Sequence, residues 1–212
     1  NTPFINLQDG RMRPSVVQGL WIQHKIKENK WYAGWLHKFS PRSTVSWYKT
    51  GESIGLYPVG VNMDGAKSGY KNALASSGVA LVGAEIGGIK NYKIQIWNQY
   101  VQNIFNSLFF QLDKTPTTKH PYYYGLQLIT QTVVNKGGNN DAAKTYFNPD
   151  QSSLVMGARL GKKVGAWDYS LNYTRITKQG RYLMPREWGR DPFYTFLMLS
   201  LIHISEPTRR RG

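Results

Sequence analysis

Along short segments of this chain, polar residues alternate strictly with large apolar ones, and this pattern limits the possible folds more than any other feature. Lys93-Ile94-Gln95-Ile96-Trp97-Asn98-Gln99-Tyr100 and Trp167-Asp168-Tyr169-Ser170-Leu171-Asn172-Tyr173-Thr174 each present one apolar and one wet face. Two residues is the period of a β-strand, whose successive side chains point to opposite sides. In a soluble sandwich the apolar side would meet a protein core. In a membrane barrel it would meet lipid, with the polar side lining a water-filled lumen. Either way the fold class is all-β.

Eight segments read as strands, at about 15–27, 30–40, 78–87, 92–101, 104–114, 122–134, 152–162 and 166–177. Most are close to the roughly 9–11 residues that a tilted membrane strand needs. Short connections fall at 28–29, 88–91, 115–121 and 163–165, and long ones at 41–77, 135–151 and 178–191. Apart from a tight turn at Gln102-Asn103, short and long alternate, so the long ones gather at one end. After each short turn the next strand opens on aromatics: Trp31-Tyr32, Tyr92, Tyr122-Tyr123-Tyr124 and Trp167. Four such clusters at one end match the aromatic girdle of a membrane interface. Parity sets Ala80, Val82, Ala84 and Ile86 against Leu81, Gly83 and Glu85, and Leu108, Phe110 and Leu112 against Ser107, Phe109, Gln111 and Asp113. On the first strand His24 falls on the apolar side.

The chain has 212 residues with 27 Lys+Arg against 12 Asp+Glu, a formal charge of +15, and no cysteine. The charge favours anionic partners, and a disulfide scaffold is excluded. No run of about 18 apolar residues exists, which rules out a membrane helix but not membrane strands. The opening Asn1-Thr2-Pro3 reads as an internal start, so residues 1–199 are expected to form a barrel domain continued at both ends. Residues 200–212 resemble a translated sequencing adapter and are set aside as a non-native tail, so His203, Glu206 and Arg209 to Arg211 enter no site.

No enzyme template fits. Gly157-Ala-Arg-Leu-Gly161-Lys162-Lys163 is one residue short for a phosphate-cradling loop and lies on a strand. His24, His37 and His120 lack metal-ligand spacing. The strand carboxylates Glu85, Asp113 and Asp168 form no recognisable acid–base pair. No catalytic residue, metal or cofactor is therefore assigned. Basic residues interleave with aromatics throughout but form no compact nucleic-acid motif. Two clusters remain. In the first, Asp9 and Gly10 turn the chain while Arg11 and Arg13 flank Met12; folded into a lumen, these guanidiniums would select anions at a constriction. In the second, residues 178–194, Arg186-Glu187 and Arg190-Asp191 flank Trp188 as self-neutralising pairs that hold a loop together. A soluble or periplasmic β-rich module binding acidic glycan or nucleic acid is the alternative function.

Four stretches carry a resemblance to the OprD-type outer-membrane porins of Gram-negative bacteria. They are Pro3-Phe-Ile-Asn-Leu-Gln-Asp-Gly-Arg-Met-Arg-Pro14 with Gly19, Trp97-Asn-Gln-Tyr-Val-Gln-Asn-Ile-Phe-Asn106, Asp168-Tyr-Ser-Leu-Asn-Tyr-Thr-Arg175 and Met184-Pro-Arg-Glu-Trp-Gly-Arg-Asp-Pro-Phe-Tyr194. The first resembles that family's third outer loop, which folds into the pore, and the last its seventh. The resemblance implies about eight antiparallel strands from the middle of a transmembrane barrel of roughly 18. It further implies passive, selective diffusion of small carboxylate-bearing solutes, amino acids included, and a place in the outer membrane among lipid and lipopolysaccharide. Asp9, Arg11 and Arg13 then match the constriction pattern. Lys25, Lys93 and Arg159 are candidates for a basic ladder on the wet face, and Arg186 and Arg190 for loop contacts along the path. The partners expected are anionic or zwitterionic solutes, without nucleic acid, in a monomer or a trimer. With two strand edges unpaired, the isolated chain is expected to aggregate in water.

Overall fold

A computed structural model describes residues 2–6, 13–42, 44–62, 65–177 and 179–195. The expected strands all form: β1 Val16–Ile26, β2 Asn29–Ser40, β4 Val79–Ile86, β5 Tyr92–Val101, β6 Phe105–Lys114, β7 Tyr122–Val133, β8 Ser152–Val164 and β9 Trp167–Ile176. They pair antiparallel, each with its neighbour in sequence, in the order β1-β2-β4-β5-β6-β7-β8-β9. Inside the first long connection the chain adds a short strand, β3 Tyr48–Lys49, on β2 and one helical turn, α1 Thr50–Ser53, neither of which the alternation pattern foretells. No helix among the described residues is long and apolar enough to cross a membrane.

The register carries a stagger. A single row of partners runs Trp31, Ala84, Ile96, Phe110, Leu128, Met156, Arg175. Along it Trp31 is the third residue of β2, Ile96 the fifth of β5, Leu128 the seventh of β7 and Arg175 the ninth of β9. The row therefore climbs one residue per strand. With a rise of about 3.3 Å per residue and about 4.8 Å between strands, that slope is a strand tilt of roughly 35°, within the range of closed barrels.

The two faces differ as parity requires. Val82, Leu126, Leu160 and Leu171 point outward and are exposed, Leu171 to 76%, whereas Leu81, Phe109, Ile129 and Val155 point inward and are buried. The outward face is thus an uncovered apolar surface, the arrangement of a lipid-facing wall rather than of a sandwich core. Trp31, Tyr122 and Trp167 lie outward and exposed at the short-turn end, where the girdle is expected, while Tyr32 and Tyr123 from the same clusters point inward. β1 and β9 are exposed along almost their whole length, as edges of an open sheet are.

The inward face departs from expectation. Parity alone reads it as wet, yet Trp97, Phe109, Ile129 and Val155 on it form a core with Phe4, Phe39, Phe147 and Trp188. The reason is non-local, since the long connections and residues 2–6 fold back over the concave face and dry it toward the long-loop end. The tight turn after β5 lies under this roof. Gln102 N donates to the Gly78 carbonyl at 3.0 Å, Gln102 Oε1 accepts from Ser77 N at 2.9 Å, and Ile104 is fully buried. His37 is skipped in the register, a bulge that shifts the phase of β2 so that Leu36 and Phe39 both turn inward.

Candidate functional site

The inward face of β4 to β9 holds a polar cluster beneath residues 179–195. Asp113, near the end of β6, is its centre. Its Oδ1 receives the Arg159 guanidinium at 3.2 Å and the Tyr194 hydroxyl at 2.8 Å, and Gln111 donates to its Oδ2. Arg159 is held flat, with Tyr194 4.6 Å and Tyr123 5.4 Å from its guanidinium carbon. Glycines make this possible. A side chain at Gly125 would collide with the Tyr194 ring, and one at Gly161 with the Tyr123 ring. Next to the cluster, Tyr123 donates to Asp168 at 2.6 Å, and Lys163 approaches the other carboxylate oxygen at 3.4 Å.

Glutamines on the same parity fasten the roof. Gln127 Nε2 donates to Gln111 Oε1 at 2.9 Å and to the Pro192 carbonyl at 2.8 Å. Gln131 donates to the Leu183 carbonyl and accepts from Leu183 N, both at 2.8 Å, as a strand edge would. Trp188 is buried, stacks on Phe39 at 4.6 Å and donates from Nε1 to Ser53 at 2.8 Å. Asn6 grips the same segment, accepting from Arg190 N at 3.0 Å and donating to its carbonyl at 3.2 Å.

The expected residues distribute as follows. Lys25, Lys93 and Arg159 all fall on the inward parity. Arg159 is ion-paired, so it is a bridge in the wall; Lys25 and Lys93 are exposed and form no salt bridge among the described residues. Lys30 and Lys163 join them, each paired with a carboxylate, Glu85 at 3.3 Å and Asp168 at 3.4 Å. The inward strands thus carry five cations (Lys25, Lys30, Lys93, Arg159, Lys163) against three acids (Glu85, Asp113, Asp168). Asp9 and Arg11 lie outside the described residues. Arg13 stands at the entry to β1, its Nη2 3.4 Å from the Val45 carbonyl.

In the second cluster Glu187 is held by backbone amides of another loop. Its Oε1 accepts from Gly55 N at 3.0 Å and Tyr57 N at 2.8 Å, tying this loop to the first long connection. Arg186, Arg181, Glu187 and Asp191 line a chamber of about 550 Å³ with Tyr57 and Tyr70. Arg190 is held through its backbone by Asn6. The loop-holding role expected of this segment is met by Trp188 and Glu187. The glutamine fasteners were missed by sequence reasoning, although Gln111 and Gln127 share the wet parity and face each other across one hairpin.

Burial pushes the Glu187 carboxyl above the usual carboxylate range, against the lowering effect of the amides it accepts from. Burial does the same to Asp191, offset in part by the charge of Arg186. In an undocked loop both groups return to ordinary values, so the docked form binds protons more tightly. The stability this adds is complete below the ordinary carboxylate range and is lost as pH rises through the raised docked values. Proteolytic cleavage within residues 179–195 should therefore speed up from mildly acidic to alkaline pH, once corrected for the protease's own profile. Glu187→Gln should flatten much of the trend, and cleavage that slows as pH rises would contradict it.

No protein-family model matches the sequence, and no curated protein does. Solved structures do match the fold. OccK3 (OpdO) of Pseudomonas aeruginosa superposes with a TM-score of 0.69 at 13% identity, over 94% of this chain and 47% of that one. OccK2 (OpdF) of the same organism, solved in complex with glucuronate, gives 0.57 at 19% identity, over 83% and 42%. OccD3 (OpdP) gives 0.60 at 13% identity, over 83% and 38%. The chain therefore spans less than half the length of these proteins, and its fold is that of the OprD-type outer-membrane porins.

Proposed function

We propose that this chain forms the central wall and two pore-narrowing inserts of an outer-membrane porin that passes small carboxylate-bearing solutes by passive diffusion. The observation that carries the reading is the charge of the inward face, five cations against three acids, beneath an outward face that is apolar and open. Lys25 and Lys93 supply attraction, neither of them ion-paired among the described residues although Lys93 stands opposite Asp113 in register. Arg159 Nε and Asn172 Oδ1, opposite each other in register, are buried without hydrogen-bond partners. Dispersed cations of this kind bind weakly, which flux requires. Asp9, Arg11 and Arg13 are assigned to the constriction on their match to the family pattern, and Arg186 to the chamber above it. The glucuronate held by OccK2 has the chemistry this wall suits. A soluble binder of acidic polymers would have to cover the outward leucines, and none of the described segments does so.

The test is electrical. The full-length protein containing this chain, reconstituted in planar bilayers, should conduct, prefer anions over cations, and show current block by glucuronate or an acidic amino acid. Lys25→Gln with Lys93→Gln should move the reversal potential toward cations by several millivolts. Absence of conductance, or a reversal potential indifferent to both lysines, would remove the proposal.

A further inference from the structure

The outward face carries charge at only a few places. On β4 to β9 its cations are Lys114, Lys162 and Arg175, with no acid on that parity among the described residues. Lys114 and Lys162 sit at the short-turn end, their ammonium groups 5.5 Å from the Tyr124 ring and 5.0 Å from the Tyr122 ring. They belong to the aromatic girdle, where amphipathic cations reach the interface. Arg175 is different. It stands eight residues beyond the girdle residue Trp167 on the same strand, a height of roughly 22 Å along the barrel axis at the tilt set by the register. The apolar band of such a barrel is about 25 Å tall, and an outward cation costs several kcal/mol at its middle but little at its rim. Arg175 therefore lies at the opposite rim, on the side of the long loops.

Beneath Arg175 the wall is hollowed. Phe110, Leu126, Leu128, Met156, Tyr173 and Arg175 border an open trough of about 500 Å³. Its floor is Ala158, whose partners on either side are Leu126 and Tyr173. The trough follows the row from Arg175 down to Phe110 across three strand spacings, roughly 14 Å, obliquely into the apolar band. A guanidinium at the rim above a hydrocarbon-lined groove has the two chemistries of one kind of ligand.

We propose that Arg175 and the Ala158 trough form a binding site for a phosphate-bearing acylated glycolipid of the leaflet at the long-loop end. The phosphate sits on the Arg175 guanidinium and one acyl chain lies in the trough. The assignment rests on the membrane reading above but not on the solute or on any lumen residue. Charge complementarity and height select the occupant: the only outward cation at that rim on these strands faces the layer where glycolipid phosphates lie, and a guanidinium pairs with phosphate through two parallel N–H donors.

The experiment uses the full-length protein purified in mild detergent and incubated with bisphosphorylated lipid A, dephosphorylated lipid A or phosphatidylglycerol, with retained lipid counted by native mass spectrometry. Wild type should retain bisphosphorylated lipid A. Arg175→Gln should lower retention roughly tenfold, the effect of losing one charge-assisted phosphate contact. Ala158→Leu, which fills the floor and leaves the charge, should lower it by a similar factor, and Arg175→Lys, which keeps the charge and loses the fork, should give an intermediate retention. Equal retention by wild type and Arg175→Gln, or equal retention of the dephosphorylated lipid or of phosphatidylglycerol, would overturn the proposal. All three variants should conduct like wild type, so loss of conductance in wild type would count against the porin reading instead.

Discussion

Replacing Trp188 with alanine should release the roof from the inward face. The indole is buried, stacked on Phe39 and hydrogen-bonded to Ser53, so it ties residues 179–195 to β2 and α1 at once. Truncating a buried Trp costs about 3–5 kcal/mol. Most of that cost should fall on loop docking, because the ladder from β1 to β9 does not pass through Trp188. Cleavage within residues 179–195 should accelerate by ~100-fold or more, and single-channel conductance of the full-length protein should rise. Trp188→Phe, which keeps the stack and loses the bond to Ser53, should give an intermediate result. A Trp188→Ala channel with wild-type conductance and wild-type protease resistance would mean that this residue does not seat the loop.

The second large effect is expected at Asp113. Its side chain is 14% exposed against 35% for Arg159, so the pair is neither a surface bridge nor fully dry. Asp113→Asn keeps the shape and removes the charge, leaving the inward strands with five cations against two acids. A half-buried pair broken in this way should cost about 1–3 kcal/mol. The electrical effect should be clearer than the thermal one, with the reversal potential moving toward anions. Arg159→Gln should move it the other way, and the double variant should return near wild type because the two charge changes cancel. If Asp113→Asn leaves ion preference unchanged, the ions do not pass close to this wall.

The strands were legible in the sequence because each one carries its own evidence. Trp167 to Thr174 alternates so cleanly that its apolar and wet faces follow from parity. Short turns and the aromatics after them set which end is which. The buried inward face could not be read the same way. Trp97 shares parity with Lys93, Gln95 and Gln99, and only the return of Phe4 and Trp188 over it dries its surroundings. The Asp113 cluster was hidden for the same reason. Arg159 lies 46 residues away and Tyr194 81, distances over which spacing carries no signal. Asp113 was visible as an isolated strand carboxylate, and its partner turned out to be a cation rather than a second acid. Glu187 was legible as one of two adjacent opposite charges, but the Gly55 and Tyr57 amides that bind it lie 130 residues or more away, where spacing again carries no signal.

The glycine at 125 has an effect on how such a barrel can change over generations. Where Tyr194 lies over it, the stave itself projects nothing, so the bore there is shaped by a piece that hangs into it. A lineage can exchange that hanging piece while the cylinder around it stays as it was.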